Sequence, residues 1–144
     1  MEDCVIVSYT KFQPFVENLA EKVFNLGSDT LKVMLTNTAP VVTNGVKGDL
    51  TEITATNGYT AGGTAATISS SAQTTGTYKL ILTDVVFTAT NGSIGPLRYA
   101  VLYDDTAASD QLIGFWDYGA SITLLDGETL TVDFDASAGV LTLA

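Results

Sequence analysis

Apolar and polar positions change their period once along this chain. Between Lys11 and Leu26 the residues Phe12, Phe15, Val16, Leu19, Val23 and Phe24 recur at helical spacing, which marks one apolar face. The spacing predicts an amphipathic helix over 11–26. Thr10 with Gln13 fits a capping box, and Pro14 falls in the first turn, where its missing N–H does little harm. Asn25-Leu26-Gly27 supplies the stop, with Gly27 as a left-handed cap. Such a helix packs on a sheet, and its face is wide enough to serve a neighbouring subunit as well.

After Gly27 the period becomes two. Leu31, Val33 and Leu35 alternate with Lys32, Met34 and Thr36, as in a strand buried on one side. Residues 37–63 break the alternation with Pro40, Asn44-Gly45, Gly48, Asn57-Gly58 and Gly62-Gly63. They read as a long irregular segment with a single helical turn at 49–53, and segments of this length are commonly functional. From Thr64 onward strands and turns succeed one another: 65–72, 77–88, 97–104, 111–117, 120–124, 128–134 and 139–143. Within 77–88 the alternation of Leu80, Leu82, Val85 and Phe87 shifts near Asp84, which calls for a bulge or bend. Turn signals stand at Asn91-Gly92, Asp104-Asp105, Asp126-Gly127 and Ala138-Gly139. The expected fold is mainly β, an antiparallel β-sandwich or jelly roll with one N-terminal amphipathic helix. Residues 1–9 form an arm and residues 10–144 a single domain.

Charge narrows the partners. The chain has 144 residues and a formal net charge of −10, from 16 acidic and 6 basic side chains. Residues 49–144 hold 11 of those acids against Lys79 and Arg98 alone. Binding a phosphate backbone needs a basic face, so neither nucleic acid nor an anionic membrane is expected as a partner. No apolar run reaches membrane-spanning length, and residues 1–9 lack the basic start and apolar core of a secretory signal. The expectation is a product that stays in the cytoplasm where it is made. Cys4 is the one cysteine, which rules out an internal disulfide.

Chemistry finds little to stand on. The chain has no histidine, so the commonest general base and metal ligand are missing. There is no phosphate-binding loop and no dinucleotide fingerprint. Asp117 with Asp133 or Asp104 is the nearest thing to a carboxylate pair. Asp104-Asp105 with Asp110, and Asp133 with Asp135, offer hard oxygen ligands for calcium, although acidic loop tips more often stabilise their own turns. We therefore expect no enzyme, no cofactor, and no catalytic or metal-ligating residue. The aromatics Tyr99, Tyr103, Phe115, Trp116, Tyr118 and Phe134 gather in the second half. Alternation puts Phe115 and Trp116 on opposite faces, so one of them is expected near the surface, where it could anchor a protein or stack on a sugar. Val5-Ile6-Val7 is a β-prone arm able to add a strand to a neighbour, and Val140 to Ala144 is apolar to the last residue.

Several segments carry a resemblance. Tyr9-Thr10-Lys11-Phe12 with Phe15-Val16-Glu17, the run Leu26 to Val33, and Leu35 to Pro40 recur in one family. So do Asn57-Gly58-Tyr59-Thr60-Ala61-Gly62-Gly63, Tyr99 to Asp104, and Asp126-Gly127-Glu128. Over residues 9–144 the chain resembles small structural proteins encoded beside the head genes of tailed bacteriophages, and among them the capsid cement, or decoration, proteins. Residues 1–8 have no counterpart in that pattern. The resemblance implies a homodimer or homotrimer on the outer face of a shell built by the major capsid protein, stabilising it, with a location on the virion surface. It transfers no catalytic residue. A tail or head-fibre component that contacts a host glycan or receptor is the alternative. The contact residues expected from this reading are Val5, Ile6 and Val7 in the arm, Tyr59 in the long segment, and Trp116.

Overall fold

A computed structural model describes residues 9–144. The described residues form ten strands: β1 Tyr9–Lys11, β2 Leu31–Thr36, β3 Thr64–Ala66, β4 Ile68–Thr74, β5 Thr77–Leu82, β6 Val85–Thr88, β7 Ile94–Asp104, β8 Leu112–Leu124, β9 Thr129–Val132 and β10 Leu141–Leu143. One helix, α1 Pro14–Ala20, lies between the first two, and a single 3-10 turn occupies Lys47–Asp49. All pairings are antiparallel. A five-stranded sheet runs β1-β8-β7-β2-β3, a three-stranded sheet β10-β5-β4, and β6 pairs with β9. The inward side chains of all three sheets meet in one core that includes Leu31, Val33, Leu80, Leu82, Phe87 and Val132. The fold is the expected antiparallel β-sandwich.

The alternation shift at Asp84 marks a change of sheet. The predicted 77–88 strand divides there, with β5 in the three-stranded sheet and β6 in the ribbon with β9. Asp84 Oδ1 accepts the amide of Phe134 at 2.9 Å and so fastens the crossing to the chain after β9. The two strands expected at 111–117 and 120–124 are one, β8, because Gly119 takes a φ of 100° without interrupting the run.

The helix is shorter than its apolar period predicts. Tyr9, Thr10 and Lys11 pair with Trp116, Phe115 and Gly114 of β8 instead of entering a helix. The reason is tertiary: Gly114 has no side chain, and the Tyr9 ring occupies that space. The helix therefore starts at Pro14, whose fixed φ and missing N–H suit the first position. Gln13 caps it without a side-chain hydrogen bond, so the capping box does not form. Lys22, at φ 69°, takes the left-handed turn after the helix, not Gly27. Val16 is 51% exposed, while Phe12 and Phe15 are buried.

Both faces of the large sheet are covered, against the expectation of a half-buried β2. Met34 and Thr36 are as deeply buried as Leu31, Val33 and Leu35. A second cluster of Phe12, Met34, Val101, Tyr103, Leu112 and Phe115 fills the outer face, with Val42 and Leu50 packed on it. Within the segment 37–63, residues 41–50 thus form a third layer over the sheet, whereas Ile53 and Tyr59 pack on the main core. The segment's backbone is stitched down by Gln13 N to Val42 O at 2.8 Å, Leu112 N to Gly45 O at 3.0 Å and Ile53 N to Leu35 O at 3.1 Å. Its helical turn is Lys47–Asp49, just ahead of the predicted 49–53. Asp49 Oδ2 accepts the amides of Gly45 and Val46, which closes that turn.

Candidate functional site

Of the five expected contact residues, Tyr59 and Trp116 lie among the described residues. Val5, Ile6 and Val7 lie outside the described residues. Tyr59 and Trp116 are core, at 3% and 6% exposure, and this corrects the surface position expected of them. Tyr59 is enclosed because the 37–63 segment folds back on β2. Its hydroxyl accepts the Leu35 amide at 3.0 Å and donates to Glu52 Oε2 at 2.6 Å. Burial, and then the bond to Glu52, push that hydroxyl well above the ordinary tyrosine range. Trp116 sits between the rings of Tyr9 and Phe134, at centroid distances of 5.1 and 5.4 Å. Phe115 does point to the opposite face, as alternation requires, but that face is covered too.

The acidic loops are turns tied by their own carboxylates. Asp135 Oδ1 accepts the amides of Ser137 and Ala138, and these bonds hold its carboxyl below the usual range. Asp104 Oδ1 accepts those of Thr106 and Ala107. Asp105 pairs with Lys32 at 3.3 Å. Asp117 is held by both arms of Arg98, at 2.8 and 3.1 Å, and takes the Gly119 amide as well. The Arg98 bond, then the Gly119 amide, hold its carboxyl below the usual range. Its partner is thus a cation and not a second carboxylate. Among the described residues no three His, Cys, Asp or Glu side chains converge as metal ligands. Likewise no helix among them is long and apolar enough to cross a membrane.

Two adjoining surface features remain. The first is an open cavity of about 580 Å³ between the chain after α1 and the three-stranded sheet, within the size range of ligand and peptide clefts. Leu19, Val23, Phe24, Leu26, Tyr78 and Leu143 give it an apolar wall. Ser71, Asn25, Asp29 and Thr106 form a polar rim, in which Ser71 Oγ and Tyr78 Oη lie 2.7 Å apart. Leu143, at 45% exposure, opens to solvent beside it.

The second is the edge of β4. This strand ends its sheet, and from Thr64 to Tyr78 the chain carries no charged residue. Ser69, Ala72, Gln73 and Thr74 are exposed along it. Lysines, prolines or inward charges normally blunt an edge strand, and β4 has none of them. The strand continues into a tight hairpin in which Thr75 and Gly76 both take positive φ, the geometry of a twist-matched two-residue turn. Alternation predicts one strand at 65–72, whereas the structure divides that stretch into β3, paired with β2, and β4, paired with β5; the division and the edge position are decided by non-local pairing and are not written in the segment itself. No family model matches the chain, and comparison with curated proteins and with solved structures finds no similar protein.

Proposed function

We propose that this protein is a capsid cement protein of a tailed bacteriophage, a non-enzymatic homo-oligomer that binds the outer face of the major capsid shell and stiffens it. The observation that carries this reading is the uncharged β4 edge on a chain of net charge −10. Elsewhere like charge keeps copies and host polyanions away. Along β4 another chain can approach without desolvating a charge, and the free N–H and C=O groups can accept an added strand. A modest contact of this kind, repeated over a symmetric shell, is multiplied by avidity. The segments that carry the family resemblance support it further, because they build the scaffold: Tyr9 fills the space over Gly114, and Tyr59 clamps the 37–63 segment to β2. The receptor-binding alternative drew on the Trp116 cluster and the acidic loops; Phe115 and Trp116 are buried and the Asp104 and Asp135 carboxylates are tied to their own turns, which leaves it without a favouring observation.

The test is thermal melting of empty shells with and without the bound protein. A higher melting temperature for decorated shells is expected. Identical curves at saturating protein would sink the cement mechanism, and electron cryo-microscopy density confined to a tail or fibre would restore the receptor reading.

A further inference from the structure

We propose that Asp29 and Asp104 hold one proton between them, and that this shared proton latches the 25–30 turn to the 104–110 loop along one wall of the cavity. The proposal is independent of which partner the protein binds.

Asp104 ends β7 with a side chain that is 0% exposed. Its Oδ1 is used by the amides of Thr106 and Ala107, at 2.9 and 3.1 Å. Its Oδ2 is buried with no donor in reach. The side chain that interacts with the Asp104 carboxyl is the carboxyl of Asp29. Two ionised carboxylates have no hydrogen to share, and a fully buried anionic oxygen left bare is strongly unfavourable. One proton placed between them converts a repulsion into a hydrogen bond. Burial, followed by the Asp29 contact, raises the Asp104 carboxyl to about 7, which puts the change in a physiological range.

Among the charged groups around the pair, Lys22 lines the same cavity as Asp29. Asp105 and Asp110 share the loop, and Lys32 of β2 is engaged with Asp105 at 3.3 Å. Asp29 Oδ2 already accepts the amide of Asn25 at 2.8 Å. The same two segments are joined by Thr30 N to Thr106 Oγ1 at 2.8 Å and by Asp105 N to Thr30 O at 2.9 Å. Asp29, Thr106 and Ala107 all line the cavity. Loss of the proton sets two carboxylates against each other at this seam, so the wall loosens as the solution is made less acid.

The sign follows from linkage. The folded carboxyl binds its proton more tightly than the unfolded one, so this contribution is complete below about pH 4 and is lost between about pH 4 and pH 7. The experiment is a carbon-13 carboxyl NMR titration of the full chain, joined to melting and amide exchange from pH 4.5 to 8.5. Asp104 is expected to titrate near 7. Exchange at Thr106 and Ala107, corrected for its intrinsic pH dependence, should accelerate by up to about tenfold per pH unit across the window. Asp104→Asn places a permanent donor at the seam, so its melting temperature should lack the wild-type fall from pH 4.5 to 7.5. An Asp104 carboxyl titrating near 4 in the wild type would overturn the proposal, whether or not the variant folds. So would a millimolar calcium addition that restores the melting temperature at pH 8 while acid does not, because the seam would then be a cation site.

Discussion

Tyr59 joins Glu52 and Leu35 through a single hydroxyl, donating to the Glu52 carboxylate at 2.6 Å and accepting the Leu35 amide at 3.0 Å. Glu52 Oε2 also accepts the amide of Gly62 at 2.6 Å. The second half of a long irregular segment and strand β2 are thereby closed on one polar node inside the protein. Tyr59→Phe keeps the ring and strands the buried Leu35 amide, so we expect a loss of about 1–3 kcal/mol. Urea unfolding at pH 7 reads this directly, and an unchanged midpoint would mean that water or another group takes the amide.

Tyr9 presents the opposite case. Its hydroxyl is buried with no hydrogen-bond partner, and burial pushes its pKa up to about 12. Removing an unsatisfied polar atom relieves its desolvation penalty. Tyr9→Phe is therefore expected to match or exceed the wild type in stability, by about 1 kcal/mol at most. A clear drop in melting temperature would show that the hydroxyl has a partner.

Two glycines with nearly the same φ separate steric from conformational effects. Gly63 and Gly76 have φ of 80° and 85°. A Cβ on Gly63 would collide with the Val33 carbonyl, whereas one on Gly76 meets nothing within 4 Å. Gly76→Ala should lose only about 1 kcal/mol, the conformational share. Gly63→Ala should lose more than about 3 kcal/mol, because β2 must move or the 37–63 segment must lift. Equal effects in paired denaturation curves would show that the segment yields easily.

The uncharged edge can be marked without touching the core. Ser69 and Ala72 are both exposed on β4. Ser69→Lys and Ala72→Lys should leave stability within about 0.5 kcal/mol of wild type, since edge lysines are tolerated in natural sheets. Under the cement reading they should weaken sedimentation with shells at least tenfold. Full shell binding by both variants would move the contact surface elsewhere.

The β class, the turns and the break near Asp84 were legible because they rest on local pattern. Strand alternation and Asn-Gly or Asp-Gly pairs act over a few residues, and β5 to β9 fell within a few positions of where that pattern puts them. The helix predicted over 11–26 starts late because Tyr9 to Lys11 pair with β8, about a hundred residues away, and it stops early at Ala20, where Lys22 takes a φ of 69°. Tyr59 and Trp116 failed as contact residues on the same non-local ground. Phe115 and Trp116 do point to opposite faces, but whether a face is bare depends on what lies over it. Nothing near Trp116 announces that residues 41–50 cover the other side of its strand. Likewise, Asp104 reads as a solvated turn in sequence and as a buried acid only once Asp29 is seen beside it.

The third layer also decides where this chain can change length. Residues 41–50 look like a loop that evolution or an engineer could shorten freely. Taking out Val42 and Leu50 would bare Met34, Val101, Tyr103 and Leu112 together and leave a sheet with a greasy back. Insertions and deletions are instead absorbed at the Thr75-Gly76 hairpin tip, where the chain is exposed and a side chain on Gly76 touches nothing. A tag, a fluorophore or a displayed peptide belongs there, on a turn that gives the interior no cover.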